Sequence, residues 1–212
     1  MVRLHAVIER ASDAGLALAT HTPILVIKEV NGSHAANRVM SLFPRSKMIF
    51  MLRDGRDVLD SLAAAYEPGA WLDAKLARNP LRQAEDRLAW IDETCRGWVA
   101  DVDICMKAYD EHDPALRRML RYEELLADTP TVLRDLLKWI GLPSNEPRIE
   151  RIADSHSFAS LPEHRKGPGR FRRSASPGKW REGLTPEEQL LALEIMGSRL
   201  VKLGYEGDSE PA

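Results

Sequence analysis

A chain of 212 residues, 44% hydrophobic and 29% charged, is one ordinary domain with enough apolar material for a real core. Its formal net charge of −2 gives no global pull toward nucleic acid or membrane, so any anion site must come from local clustering. No stretch reaches the ~18–20 apolar residues of a membrane span, and the charged start Met1-Val2-Arg3-Leu4-His5 does not read as a secretory leader.

Val2 to about Leu18 has a helical stripe, with Leu4, Val7, Ile8, Ala11 and Gly15 on one side, broken at His21-Thr22-Pro23. Ile24-Leu25-Val26-Ile27 is a continuous apolar run that predicts a buried parallel strand. A polar turn, Lys28 to Ser33, and a helix over about His34–Leu42 follow. Met48-Ile49-Phe50-Met51-Leu52 predicts a second buried strand, ending in Arg53-Asp54-Gly55-Arg56-Asp57, with a helix from there to about Tyr66. Strand, polar loop and helix repeated in this way is the rhythm of a parallel α/β sheet, whose ligands sit beyond the carboxyl ends of its strands. Lys28 and Arg53 both fall at such ends.

Leu81, Ala84, Leu88, Ile91, Cys95, Trp98, Val102, Cys105 and Tyr109 step by three and four and predict one long helix. The heptad spacing also permits a coiled coil; packing along a sheet or bundle is the simpler reading. Cys95 and Cys105 fit no metal spacing and are expected to be buried, reduced thiols, which suits the cytoplasm. Arg118–Tyr122 reads as a third short strand, and Thr129-Pro130 opens a helix that Gly141 and Pro143 stop. A last helix begins at the capping box Thr185-Pro186-Glu187-Glu188 and runs to about Leu203. The expected organisation is a single domain over residues 1–205, with 206–212 a tail.

The residues themselves suggest an anion site. An arginine at a strand end, turning into a helix start, offers a bidentate fork beside free N–H groups and a favourable dipole. Arg53 has this position, and Ser61 lies eight residues on. A surface ion-pair cluster of Arg53, Asp54, Arg56 and Asp57 fits the same letters. From His164 to Arg181 there are seven Lys or Arg residues and no Asp or Glu, and such a loop repels itself unless an anion relieves it.

Arg53-Asp54-Gly55-Arg56-Asp57-Val58 with Ser61 resembles the 3′-phosphate motif of sulfotransferases: an apolar strand, Arg-Asp/Asn-Pro-Arg/Lys-Asp, and a Ser eight residues after the first Arg. Gly55 stands where Pro is usual. Arg121-Tyr122-Glu123-Glu124-Leu125, with Trp139-Ile140-Gly141-Leu142-Pro143 after it, is similar to a second family segment, and Ser155-His156-Ser157-Phe158 to a third. The resemblance covers about Ile24 to Tyr205.

It implies a parallel sheet of three or four strands flanked by helices, of the P-loop nucleoside-triphosphatase type and N-terminally truncated. It implies 3′-phosphoadenosine-5′-phosphosulfate as co-substrate, with no metal, and sulfuryl transfer to a hydroxyl or amine of a small-molecule or saccharide acceptor. Arg53 and Ser61 would hold the 3′-phosphate, and Tyr122 and Phe158 would line the adenine. In the basic loop two registers compete for the 3′-phosphate: Arg165-Lys166-Gly167 by its letters, and Arg173 by its distance from Gly178-Lys179-Trp180. Lys28 would stabilise the leaving group; Glu29 is a candidate base by its chemistry alone, and so is His34. The family's N-terminal loop of the type Pro-Arg-Ser-Gly-Thr-Thr is not recognisable here, which leaves a transferase and a non-catalytic nucleotide- or polyanion-binding domain both open. A nucleotide kinase would need Gly-x-x-x-x-Gly-Lys-Ser/Thr, which the chain does not contain. The acceptor loop is expected in Tyr66–Asn79, with Trp71 as its aromatic candidate.

Overall fold

The computed structural model describes residues 26–28, 33–76, 79–83 and 87–205. The predicted N-terminal helix, Ile24, Leu25, Glu29 and the 206–212 tail therefore lie outside the described residues. After a short turn at Ser33–Ala35 come helix α1 (Ala36–Leu42), strand β1 (Met48–Leu52), α2 (Gly55–Tyr66), α3 (Pro80–Gln83) and the long α4 (Arg87–Glu111). Strand β2 (Arg117–Arg121) then runs directly into α5 (Tyr122–Ala127) and is followed by α6 (Thr129–Ile140) and α7 (Glu146–His156). The basic loop leads into α8 (Trp180–Gly183) and α9 (Pro186–Lys202).

β1 and β2 pair in parallel, in register from Met48 opposite Arg117 to Leu52 opposite Arg121. This brings Arg53 and Tyr122, the residues just past the two strand ends, to the same edge of the sheet. Two strands rather than three or four form the sheet among the described residues. Val26 and Ile27 are not a buried strand: they join no ladder and are 76% and 44% exposed. β1 itself is less buried than its apolar run suggests. Leu52 is enclosed, whereas Ile49 and Met51 face outward, because among the described residues helices cover only one face of the pair.

The core lies between α2, α4, α8 and α9. Leu59 and Ala63 of α2 meet Trp90, Ile91 and Cys95 of α4, Trp180 of α8 and Ala192, Met196 and Leu200 of α9. The stripe predicted on α4 is therefore a bundle face rather than a coiled-coil seam. Arg199 locks the two longest helices by a two-pronged ion pair to Asp103, at 2.5 and 2.9 Å, and that pair holds the Asp103 carboxyl below its usual range. The predicted cap of α9 is present: Thr185 accepts from the Glu188 N–H while the Glu188 carboxylate accepts from the Thr185 N–H. Asp128 caps α6, and Gly141 ends it in the left-handed region at φ 88°. Helix α7, like the short α5 and α8, is not predicted from the sequence; Asn145 caps it and Pro147 sits in its first turn.

Cys95 is fully enclosed, and burial pushes its thiol up to about 12, while Cys105 is half-buried and also raised. Both are free thiols. Native protein at neutral pH should leave Cys95 unlabelled by maleimide, with full labelling only in denaturant; rapid native labelling would show that this core opens readily.

Candidate functional site

The arginine motif splits into an outward arm and an inward latch. Arg53, at the end of β1, lays its guanidinium over the Tyr122 ring at 4.9 Å. Its Nε is buried and has no hydrogen-bond partner among the described residues. A buried cationic donor left unpaired is costly, and an anion is the partner that removes the cost. Asp54, one residue on, caps α2 by accepting from the Arg56 N–H, so the helix start stays fixed beside Arg53.

Arg56 and Asp57 turn the other way. Arg56 is 3% exposed, holds the Asp54 carboxylate at 2.8 Å, and lies over the Trp180 indole at 4.2 Å. Asp57 is 1% exposed and accepts from the backbone N–H of Gly178 at 2.8 Å and of Trp180 at 3.3 Å. Burial raises the Asp57 carboxyl above its ordinary range, while those two N–H groups and the Arg53 charge pull against the rise. One helical turn further, Asp60 pairs with Arg173. In place of the alternative surface cluster, Asp54, Arg56 and Asp57 form a buried clamp that seats the Gly178-Lys179-Trp180 turn on α2. It also answers the self-repulsion of the basic loop in part: Asp60 neutralises Arg173, and Glu163 holds Lys166 at 2.8 Å.

The i, i+3 spacing of Asp57 and Asp60 on α2 was the available signal for this clamp. Glu123 was also missed. It accepts from the Asp54 N–H at 3.0 Å and from the Tyr205 hydroxyl at 3.0 Å, joining the end of β2, the start of α2 and the chain beyond α9. An open cavity of about 270 Å³ lies along this network, lined by Asp54, Asp57, Glu123, Gly178, Trp180 and Tyr205 among others.

Gly55 explains the departure from Pro. A Cβ there would come within 2.8 Å of Met196 and of the Trp98 indole, closer than atoms tolerate. Gly55→Ala should therefore destabilise the fold by about 1–3 kcal/mol; an unchanged denaturant midpoint would show that the contact gives way freely.

The predicted ligand residues form three local groups. Arg53 and Tyr122 are stacked, with Ser61 two turns into the same α2. Phe158 and Lys166 meet, the ammonium 5.7 Å from the ring centre, with Arg165 exposed beside them. Arg173 is committed to Asp60, the neighbour of Ser61. Lys28 is exposed and does not end a strand, since Val26 and Ile27 join no ladder, and His34 lies in the short turn before α1. Tyr122 belongs to α5 rather than to the strand, which places its ring at the start of a helix.

Comparison with known proteins gives these groups a context. The sequence profile described as "Sulfotransferase family" matches residues 5–146. Mouse "Carbohydrate sulfotransferase 5" is 29% identical over 170 residues, 75% of this chain and 41% of that protein. The Drosophila melanogaster "Protein-tyrosine sulfotransferase" is 27% identical over 108 residues, 51% of this chain and 19% of that one. The chain thus spans less than half the length of either relative. Among solved structures, mouse sulfotransferase SULT7A1 complexed with PAP superposes with a TM-score of 0.56 at 18% identity, over 77% of this chain and 60% of that one. Retinol dehydratase in complex with androsterone and PAP gives 0.53 at 20%, over 73% and 47%. These likenesses establish the fold as that of sulfotransferases, and with a profile match across well over half of its length the chain belongs to the sulfotransferase family.

Proposed function

We propose that this site grips the 3′-phosphate of 3′-phosphoadenosine-5′-phosphosulfate and that the domain serves sulfuryl transfer to a hydroxyl or amine. The observation that carries the reading is the buried, unpartnered Nε of Arg53, held against Tyr122 at the mouth of a parallel strand pair. Arg53 supplies the fork and charge, Ser61 a hydroxyl, and the start of α2 its N–H groups. Tyr122 and Phe158 offer ring faces for the adenine. Arg165 brings further positive charge from the basic loop, whereas Lys166 and Arg173 would reach the nucleotide only in exchange for their present partners Glu163 and Asp60. Both solved neighbours are described with PAP, the desulfated nucleotide, which supports the same ligand class here.

In the transfer, the acceptor atom attacks sulfur, the bond from sulfur to the 5′-phosphate oxygen breaks, and the acceptor proton passes to a base. Lys28 is proposed to offset the charge on the departing oxygen, with Glu29 the candidate base. The names of the two relatives carry a carbohydrate and a protein tyrosine, both hydroxyl acceptors. Calorimetric titration with PAP tests binding, and transfer of labelled sulfate from the donor nucleotide tests turnover. Binding without transfer to any acceptor would assign a nucleotide-holding module instead; absence of binding would end the proposal.

A further inference from the structure

We propose that Trp71 and Phe171 form an acceptor platform beside the nucleotide site and that its ligand is an anionic saccharide; the link to an acceptor rests on the sulfuryl-transfer reading. The two rings lie 100 residues apart in sequence. They meet edge to face, with centroids 4.8 Å apart and planes at 89°. Phe171 is 69% exposed and belongs to neither core cluster, so folding alone gives this ring no cover.

Both segments are held firmly. The Phe171 side is a tight loop in which Gly167 donates to the Arg172 carbonyl at 3.0 Å and Arg170 to the Gly167 carbonyl at 3.1 Å. Gly169, at φ 71°, takes the left-handed turn that a side chain resists. Its carbonyl accepts from the Trp71 N–H at 3.0 Å, which fastens one loop to the other. On the Trp71 side, Asp73 accepts from the Gly69 N–H at 2.9 Å and from the Asn79 amide at 2.7 Å, and the same amide donates to the Tyr66 carbonyl at 2.7 Å.

The tight loop also joins the platform to the nucleotide residues. Its first residue, Lys166, lies against Phe158, and Arg173, just after it, pairs with Asp60 beside Ser61. A ligand resting on Phe171 therefore sits one short loop from the groups assigned to the nucleotide.

Charge selects the ligand class. Lys75 stands over Trp71 at 5.2 Å, and Arg170 and Arg172 flank Phe171 in sequence and are exposed. None of the three has a carboxylate partner among the described residues. The nearby acids are engaged elsewhere: Glu67 with Arg87 at 3.2 Å, and Asp73 within its own loop. An exposed aromatic pair with one cation over it and two exposed arginines adjacent in sequence suits a ligand with a broad C–H surface and negative substituents, as an acidic pyranose has.

The test uses the full chain, with and without PAP, and three probes: a hyaluronan hexasaccharide, the neutral chitohexaose, and an acidic tyrosine-containing peptide. The hyaluronan probe should bind at least about tenfold tighter than the neutral one. Phe171→Ala should weaken that binding about tenfold, Trp71→Ala similarly, and Phe171→Ala should leave PAP affinity unchanged. Hyaluronan binding that ignores Phe171→Ala would reduce the effect to charge and overturn the platform. Tighter binding of the peptide, sensitive to Phe171→Ala, would overturn the saccharide assignment. Saccharide binding that persists while wild-type chain fails to bind PAP would remove the proposed function and keep the platform.

Discussion

Arg53→Ala should weaken PAP binding by at least about 100-fold. On the proposed reading the variant would remove two charge-assisted hydrogen bonds to phosphate, each worth roughly 1.5–3 kcal/mol, and every 1.4 kcal/mol is a factor of about ten. It also strips the Tyr122 ring of the guanidinium that lies 4.9 Å above it. Arg53→Lys keeps the charge and loses the planar fork, so it should fall between wild type and alanine. Ser61→Ala removes one neutral donor and should cost about tenfold or less. Because Arg53 belongs to no ion pair and its Nε is unpaired among the described residues, Arg53→Ala should leave the unfolding midpoint nearly unchanged. Calorimetry on the three variants checks this order, and equal affinity in Arg53→Ala and wild type would remove the nucleotide assignment.

The second large effect is expected at Asp57. Both of its oxygens are used, one by Gly178 and one by Trp180, so an amide at this position turns an N–H₂ toward one of two N–H donors. Asp57→Asn should destabilise the chain by about 1–3 kcal/mol. It should also loosen residues 166–178, making them readily cleaved by trypsin, because the Gly178–Trp180 turn is their fixed end. The pH dependence has a defined sign. Burial raises the folded-state pKa of Asp57, so the unfolded chain ionises first as pH increases. The wild type has its full margin over Asp57→Asn below the ordinary carboxylate pKa and loses part of it as pH rises through the raised value. Denaturant titrations at several pH values would show this narrowing; a gap that widens with pH would mean that the backbone N–H groups, not burial, dominate.

Much of this fold is visible in the sequence because single elements announce themselves. Met48–Leu52, the α4 stripe, the Thr129-Pro130 start and the Thr185–Glu188 box are local patterns, and the structure places elements where they indicate. The candidate site was legible only in part. Arg53 could be named from its position after a strand and Tyr122 from the family resemblance, and they do meet. The i, i+3 spacing of Asp57 and Asp60 put both on one face, but what they hold could not be read, since Gly178, Trp180 and Arg173 lie more than a hundred residues away. The same holds for Val26 and Ile27, where hydrophobicity predicts burial but only neighbouring elements can supply it. Trp71 could be singled out as an exposed-loop aromatic, whereas its pairing with Phe171 depends on the Gly169 turn.

The clamp also sets when the site can exist. Asp57 and Gly178 are separated by 121 residues, so their bond is among the longest-range contacts in the chain. Ribosomal synthesis delivers α2 long before the turn that covers it. Until Trp180 arrives, Arg56 and Asp57 are charged side chains at a bare helix start, and closing so long a loop carries an entropic cost that the α9 core must help to offset. Nucleotide added during refolding should accordingly bind late, in step with docking of the C-terminal helices rather than with formation of the strand pair.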